Sequence, residues 1–304
     1  MVAAQLRFRL MPHLLNLLRG FLMGSADVVP GVSGGTIALV LGIYERLVHA
    51  IRTGAAALGS LVRGRLGEAV QRARAVEWNF LVPLLAGIGI AVVSLAALIE
   101  HFLDEEPTNT AAVFFGLVAG SILVAWQLVR RWDGRQIGTA AAVALVAFAV
   151  LGLRSGEISD PSSVFFFVAG AIAIIAMILP GISGSFILLM LGMYEAVLAA
   201  VNDRDLLVVG VFAVGAVIGL ATFSTLLDRM LRDHHDTVMA GLIGLMAGSL
   251  RVLWPWPDGT DTANLAAPSE PLVPILLAVT GFAVVMVIAR VGKSHQEPVL
   301  STEY

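Results

Sequence analysis

Ala26-Asp27-Val28-Val29-Pro30-Gly31-Val32-Ser33-Gly34-Gly35-Thr36, running on to Gly42-Ile43-Tyr44-Glu45, decides how this chain is read, because the chain writes it twice. The second copy is Leu179-Pro180-Gly181-Ile182-Ser183-Gly184-Ser185-Phe186, running on to Gly192-Met193-Tyr194-Glu195, at an offset of 150. Pro-Gly stops a helix and the Ser-Gly pair that follows can start another, so each copy is a polar break inside an apolar stretch. Two such breaks in corresponding positions are the pattern expected of a transporter whose repeats meet at a site.

The surrounding sequence sets the class. Hydrophobic residues make up 58% of the 304 and charged residues 13%. Several apolar runs reach the roughly 20 residues that a helix needs to cross a bilayer core. This composition predicts an all-α polytopic membrane protein, residues 1–304 forming one membrane domain with no separate soluble part and nothing that points to nucleic acid. The net charge of −3 says little about partners, and the absence of cysteine excludes disulfides and thiol chemistry. Arg7 and Arg9 before an apolar run look like the start of a signal peptide, but the segment that follows recurs inside the chain, so it is read as mature structure.

Full spans are expected at 79–100, 110–129, 137–153, 206–227, 237–253 and 272–290. The segments on either side of the breaks, 14–29 with 33–51 and 164–179 with 183–201, are short for a crossing and are read as re-entrant helical hairpins. With both termini inside, the inner connectors collect 16 of the Arg and Lys residues and the outer ones only Arg154, Arg204 and Arg251. That bias favours a cytoplasmic N-terminus and C-terminus, but does not separate re-entrant hairpins from pairs of full spans.

The repetition continues beyond the breaks. Gly116-Leu117-Val118-Ala119-Gly120-Ser121 matches Gly244-Leu245-Met246-Ala247-Gly248-Ser249 at an offset of 128, which places about 22 extra residues in the first half, near 52–78. There an apolar stripe with basic residues between suggests a cytoplasmic interfacial helix, a solvated basic connector being the alternative. The repeats are thus 14–153 and 164–290, each a hairpin followed by three transmembrane helices. Three is odd, so the second repeat enters from the opposite face, and the fold is expected to be two inverted-topology repeats with opposed hairpins.

At each tip, backbone N–H groups at the start of a helix favour an anion. Ser33 and Ser183 are expected to cap these helices, Thr36 and Ser185 to add hydroxyls, and Gly34, Gly35 and Gly184 to let a phosphate-sized group approach after the breaks Pro30-Gly31 and Pro180-Gly181. The plainer alternative is that Pro-Gly ends one helix and Ser caps the next. Asp27 has Met177 as its counterpart; a carboxylate at membrane depth is a candidate for coupling to a proton or sodium gradient, or else ties down amides at the tip. Glu45 and Glu195 are gating candidates, or with Tyr44 and Tyr194 anchors at the water boundary. His234-His235 reads as a solvated loop, Arg19, Arg46, Arg52 and Arg251 as surface charges able to collect a headgroup, and no metal or cofactor motif is present.

The two strings together resemble the polyprenyl-phosphate transporter family, over about residues 14 to 290. The resemblance implies a bacterial or archaeal cytoplasmic-membrane protein that returns undecaprenyl phosphate, the lipid carrier of cell-wall precursors, from the outer to the inner leaflet. Its partners are then the polyprenyl phosphate lipid and the membrane; homo-oligomerisation is left open. The competing class is an integral-membrane polyprenyl pyrophosphate phosphatase, whose similar Pro-Gly-x-Ser motif continues with arginine where this chain has Gly34 and Gly184. Transfer chemistry needs fixed positive charge and a base in reach, which these tips do not offer. A channel for a small anion would share the same cradle.

Overall fold

Helices account for all regular structure among the described residues of the computed structural model, which are 2–29, 31–153, 156, 158, 161–257, 259 and 265–294; side chains are described from 11 to 290. Pro30 and Arg154, and the side chains of Arg7, Arg9 and Lys293, fall outside that description. In the first half come α1 (Val2–Asp27), α2 (Gly34–Val40), α3 (Tyr44–Val62), α4 (Leu66–Ala75), α5 (Trp78–Glu105), α6 (Pro107–Trp126) and α7 (Gly134–Val150). The second half holds α8 (Ser163–Ile178), α9 (Gly184–Met190), α10 (Tyr194–Asn202), α11 (Leu206–Asp233), α12 (His235–Ser249) and α13 (Leu272–Ser294).

Local chemistry sets the boundaries. Asp133 caps α7 by accepting from the N–H groups of Arg135 and Gln136, and Asp205 caps α11 through Leu207 and Val208. Pro107 opens α6, where its missing N–H costs nothing. Gly31 and Gly181 take φ of 84° and 88°, a left-handed turn that only glycine adopts without strain, and so reverse the chain at both tips.

Four helices, α5, α6, α11 and α13, are long and apolar enough to cross a membrane, and a fifth crossing follows if α9 and α10, bent by 113°, are one broken span. Large apolar side chains such as Val93, Leu145 and Leu206 stand more than two-thirds exposed, a surface that only lipid covers at low cost. The chain is a multi-pass membrane protein. Several sequence expectations need correction. At the expected spans 137–153 and 237–253 the helices are Gly134–Val150 and His235–Ser249, which begin and end a few residues earlier and, at 17 and 15 residues, are shorter than the four long spans. The leg at 14–29 belongs to a helix of 26 residues. The legs at 33–51 and 183–201 are not continuous: both break after seven residues, at Gly42 and Gly192, each with φ of 67°. The insertion at 52–78 supplies the end of α3 and the separate α4, whose Leu66 and Val70 are exposed while Ala69 is buried.

Packing between the long helices follows the repeat. A Cβ at Gly20 would lie 1.9 Å from the Leu84 carbonyl oxygen, and one at Gly24 would lie 2.6 Å from that of Ile88, so α1 and α5 run parallel in close contact. In the second half Gly215 and Gly219 of α11 press on Phe167 and Ala171 of α8, joining these helices in the same sense. Gly116 and Gly120 of α6 face Ala278 and Phe282 of α13, while Gly244 and Gly248 of α12 face Ala140 and Ala144 of α7. Small residues let helix backbones approach where there is no water to drive association. These last two pairs exchange partners between the halves, so neither half is complete without the other.

Candidate functional site

The first tip is closed by its own side chains. Ser33 is fully buried and extended at the N-cap of α2; its Oγ accepts from Gly35 N–H at 3.1 Å, while the Asp27 carboxylate, at the end of α1, accepts from Gly34 N–H at 2.5 Å. The plainer role of Asp27, tying down an amide, is therefore realised here, and the first tip does not present the bare amides expected from the sequence. At the second tip Ser183 makes no side-chain cap; its hydroxyl pairs with that of Ser185 at 2.7 Å, and Met177 lies where a Cβ on Gly184 would fall. The expectation that both serines cap is met by Ser33 alone. Pro180 and Gly181 are buried in the turn that ends the second tip's first leg.

The two tips touch. Ser33 Oγ donates to the Met177 carbonyl at 3.1 Å, Gly181 N–H donates to Thr36 Oγ1 at 2.8 Å, and the Tyr44 hydroxyl donates to the Ile178 carbonyl at 3.2 Å. The bonds from Ser33 and Tyr44 reach carbonyls that the end of α8 leaves without helical partners. A Cβ on Gly35 would lie 2.8 Å from the Ile178 carbonyl oxygen, so this glycine is required by the close approach. Thr36 and Tyr44 are both almost wholly buried. The reading of Tyr44 as a boundary anchor is thus corrected: it belongs to the junction, whereas Tyr194 is partly exposed.

An apolar cavity of about 460 Å³ opens beside the junction, with Asp27, Gly34 and Gly35 at its polar end and aliphatic side chains such as Ile51, Leu84, Ile88 and Leu220 along its walls. It lies between α1, α3, α5, α8 and α11.

Away from the tips, Glu45 and Glu195 part company. The Glu45 Oε1 lies 2.9 Å from His235 Nε2, and His235 Nδ1 lies 3.0 Å from Asp236. His235 is mostly buried, so its reading as a solvated loop residue is also corrected. Asp236 holds the N–H groups of Arg130 and Arg131, and the His235 hydrogen bond first, then these amides, keeps its carboxyl below the usual carboxylate range. Glu195 is exposed and has no partner among the described residues. Sequence reasoning passed over Asp228, a buried carboxylate 2.7 Å from Arg52, 2.9 Å from Arg232 and 3.1 Å from His49. It stands at the start of the charged end of α11, Asp228 to Asp233, and only the packing of α3 against that end distinguishes it from Asp233, which is exposed. Arg46 pairs with Glu77, Arg19 donates to Asn16, and Arg251 lies over the Phe148 ring. Among the described residues no group of three or more His, Asp or Glu could hold a metal.

Comparison with known proteins places this geometry in a family. Residues 23–269 match the model of the VCA0040-like family, described as undecaprenyl phosphate translocase-like. A Polyprenyl-phosphate transporter of Vibrio cholerae is 39% identical over 251 residues, covering 82% of this chain and 80% of that one. A Polyprenyl-phosphate transporter of Staphylococcus aureus is 29% identical over 299 residues, covering 93% and 98%. No solved structure matches. These relatives are named as transporters rather than enzymes, and both breaks lie inside the matched region. The chain belongs to the undecaprenyl phosphate translocase-like family.

Proposed function

We propose that this chain moves a polyprenyl phosphate, undecaprenyl phosphate in a bacterial cytoplasmic membrane, from the outer to the inner leaflet, shielding the phosphate at the two hairpin tips while the tail stays in an apolar environment. The observation that carries the reading is the hydrogen-bonded junction of the tips beside an apolar cavity whose polar end is Asp27, Gly34 and Gly35. A lipid monophosphate has this division: one charged group that is expensive to bury and a long chain that is not.

The repeats, in this proposal, are inverted. Support comes from the matched parallel pairs, α1 with α5 and α8 with α11, α6 with α13 and α12 with α7, and from the equal lengths of α5 and α11 and of α2 and α9. Connectors bonded to one another also fall on one end: Arg130 and Arg131 with Asp236, and Thr108 with the Pro257 carbonyl at the other. The basic end is the cytoplasmic one by the positive-inside bias.

The two tips then have different tasks. The second, with paired hydroxyls on Ser183 and Ser185, is the first to take the phosphate. The phosphate reaches Gly34 only when the Asp27 carboxylate leaves, since two anions do not share one amide donor. Asp27 is accordingly the coupling candidate for a proton or sodium ion, with Glu45 and Glu195 at the ends of the path.

Purified protein in liposomes carrying polyprenyl phosphate in one leaflet tests the reading. Leaflet exchange of the intact monophosphate is the expected result, reduced to the protein-free rate by Ser183→Ala with Ser185→Ala. Release of inorganic phosphate from polyprenyl pyrophosphate, with no exchange, would support the phosphatase instead.

A further inference from the structure

We infer that a charged seam between α3 and the α11–α12 corner is the gate closing the basic face of the carrier, and that the chain rests with the opposite face open. This rests on the two-repeat carrier reading above and goes beyond it by naming the gate and the resting state.

Glu45, His49 and Arg52 recur at helical spacing and so form one stripe along α3. The whole stripe is engaged: Glu45 with His235, and His49 and Arg52 with Asp228, which Arg232 also holds. Asp228 is about 5% exposed and lies between cationic groups from both helices. Parting α3 from α11 would strip that buried carboxylate of Arg52 and His49. A buried charge that loses part of its compensation is strongly disfavoured, so the seam holds until something replaces those contacts.

Among the described residues the opposite face shows no equivalent seam. α5 and α11 are both 28 residues long, and in register Glu100, Asp104 and Pro107 correspond to Asp228, Arg232 and His235. α10 begins at Tyr194 as α3 begins at Tyr44, so Glu195, Ala199 and Asn202 correspond to Glu45, His49 and Arg52. Laying α10 along α5 as α3 lies along α11 would bring Glu195 towards Glu100 and Asp104, with no cation at any of the six positions. Like charges at close range oppose closure. The helices behave accordingly: α3 packs along α11, whereas α10 has no comparable packing against α5.

The chain has no cysteine, so spin labels can be introduced without background. One pair at Thr53→Cys and Arg229→Cys spans the seam, and a second at the corresponding Asp203→Cys and His101→Cys spans the opposite face. In nanodiscs free of polyprenyl lipid, the seam pair is expected to give a short, narrow distance and its counterpart a longer, broader one. Asp228→Asn is expected to lengthen the first. Glu100→Lys, an exposed substitution that the fold tolerates, is expected to shorten the second by giving Glu195 a partner. Equal distances on both faces, or a seam distance that Asp228→Asn leaves unmoved, would overturn the inference. If the distances respond as expected while liposomes show no lipid exchange, the gate stands and the transport reading falls.

Discussion

Gly181 donates its backbone N–H to the hydroxyl of Thr36 across 2.8 Å, although the two residues lie 145 positions apart and belong to different halves of the chain. Both are buried, so water cannot substitute for either partner. Thr36→Val keeps the shape and removes the acceptor. It is expected to destabilise the protein by about 1–3 kcal/mol, the cost of a buried unsatisfied donor, while Thr36→Ser retains most of the stability. Thermal unfolding in nanodiscs measures both; a valine variant as stable as the parent would show that the junction does not hold the tips together.

The serines of the two tips are expected to fail differently. Ser33→Ala removes the α2 cap and the bond to Met177, and is expected to cost about 0.5–2 kcal/mol of stability. Ser183 caps nothing, so Ser183→Ala with Ser185→Ala is expected to leave the unfolding temperature near that of the parent and to abolish leaflet exchange. Retained exchange in the double variant removes the second tip from the mechanism.

Asp27→Asn preserves an oxygen that can accept from Gly34 N–H but carries no charge. Correct folding with loss of the response of exchange to a proton or sodium gradient is the expected outcome. A response equal to that of the parent would assign coupling elsewhere.

Helix packing offers a test independent of transport. A methyl group on Gly116 would lie 1.8 Å from the Ala278 carbonyl oxygen and one on Gly244 would lie 2.3 Å from that of Ala140, so alanine at either position must push two helices apart, at about 1–3 kcal/mol. Gly138 has open space, and Gly138→Ala is expected to be neutral or stabilising by up to about 1 kcal/mol. Unfolding midpoints of the three variants give the comparison.

Much of this protein was legible in its sequence because the relevant physics is local. A Pro-Gly pair ends a helix wherever it stands, an apolar run seeks lipid, and glycines repeated at a fixed offset mark matched surfaces; from these came the membrane class, the two breaks and the correspondence of the halves. The second breaks, at Gly42 and Gly192, were also written locally, in the repeated Gly-x-Tyr-Glu, yet each needs a left-handed glycine that helical hydropathy conceals.

Tertiary structure alone decided which charges and hydroxyls are used up. Asp27 accepts the Gly34 amide of its own tip, Tyr44 reaches the end of α8 instead of the water boundary, and Asp228 gathers Arg52 and His49 from 176 and 179 residues away. The pairings of Tyr44 and of Asp228 join residues from opposite halves of the chain. The cost of leaving a polar group unpartnered is fixed by its type, but which partner satisfies it depends on how the helices meet in space.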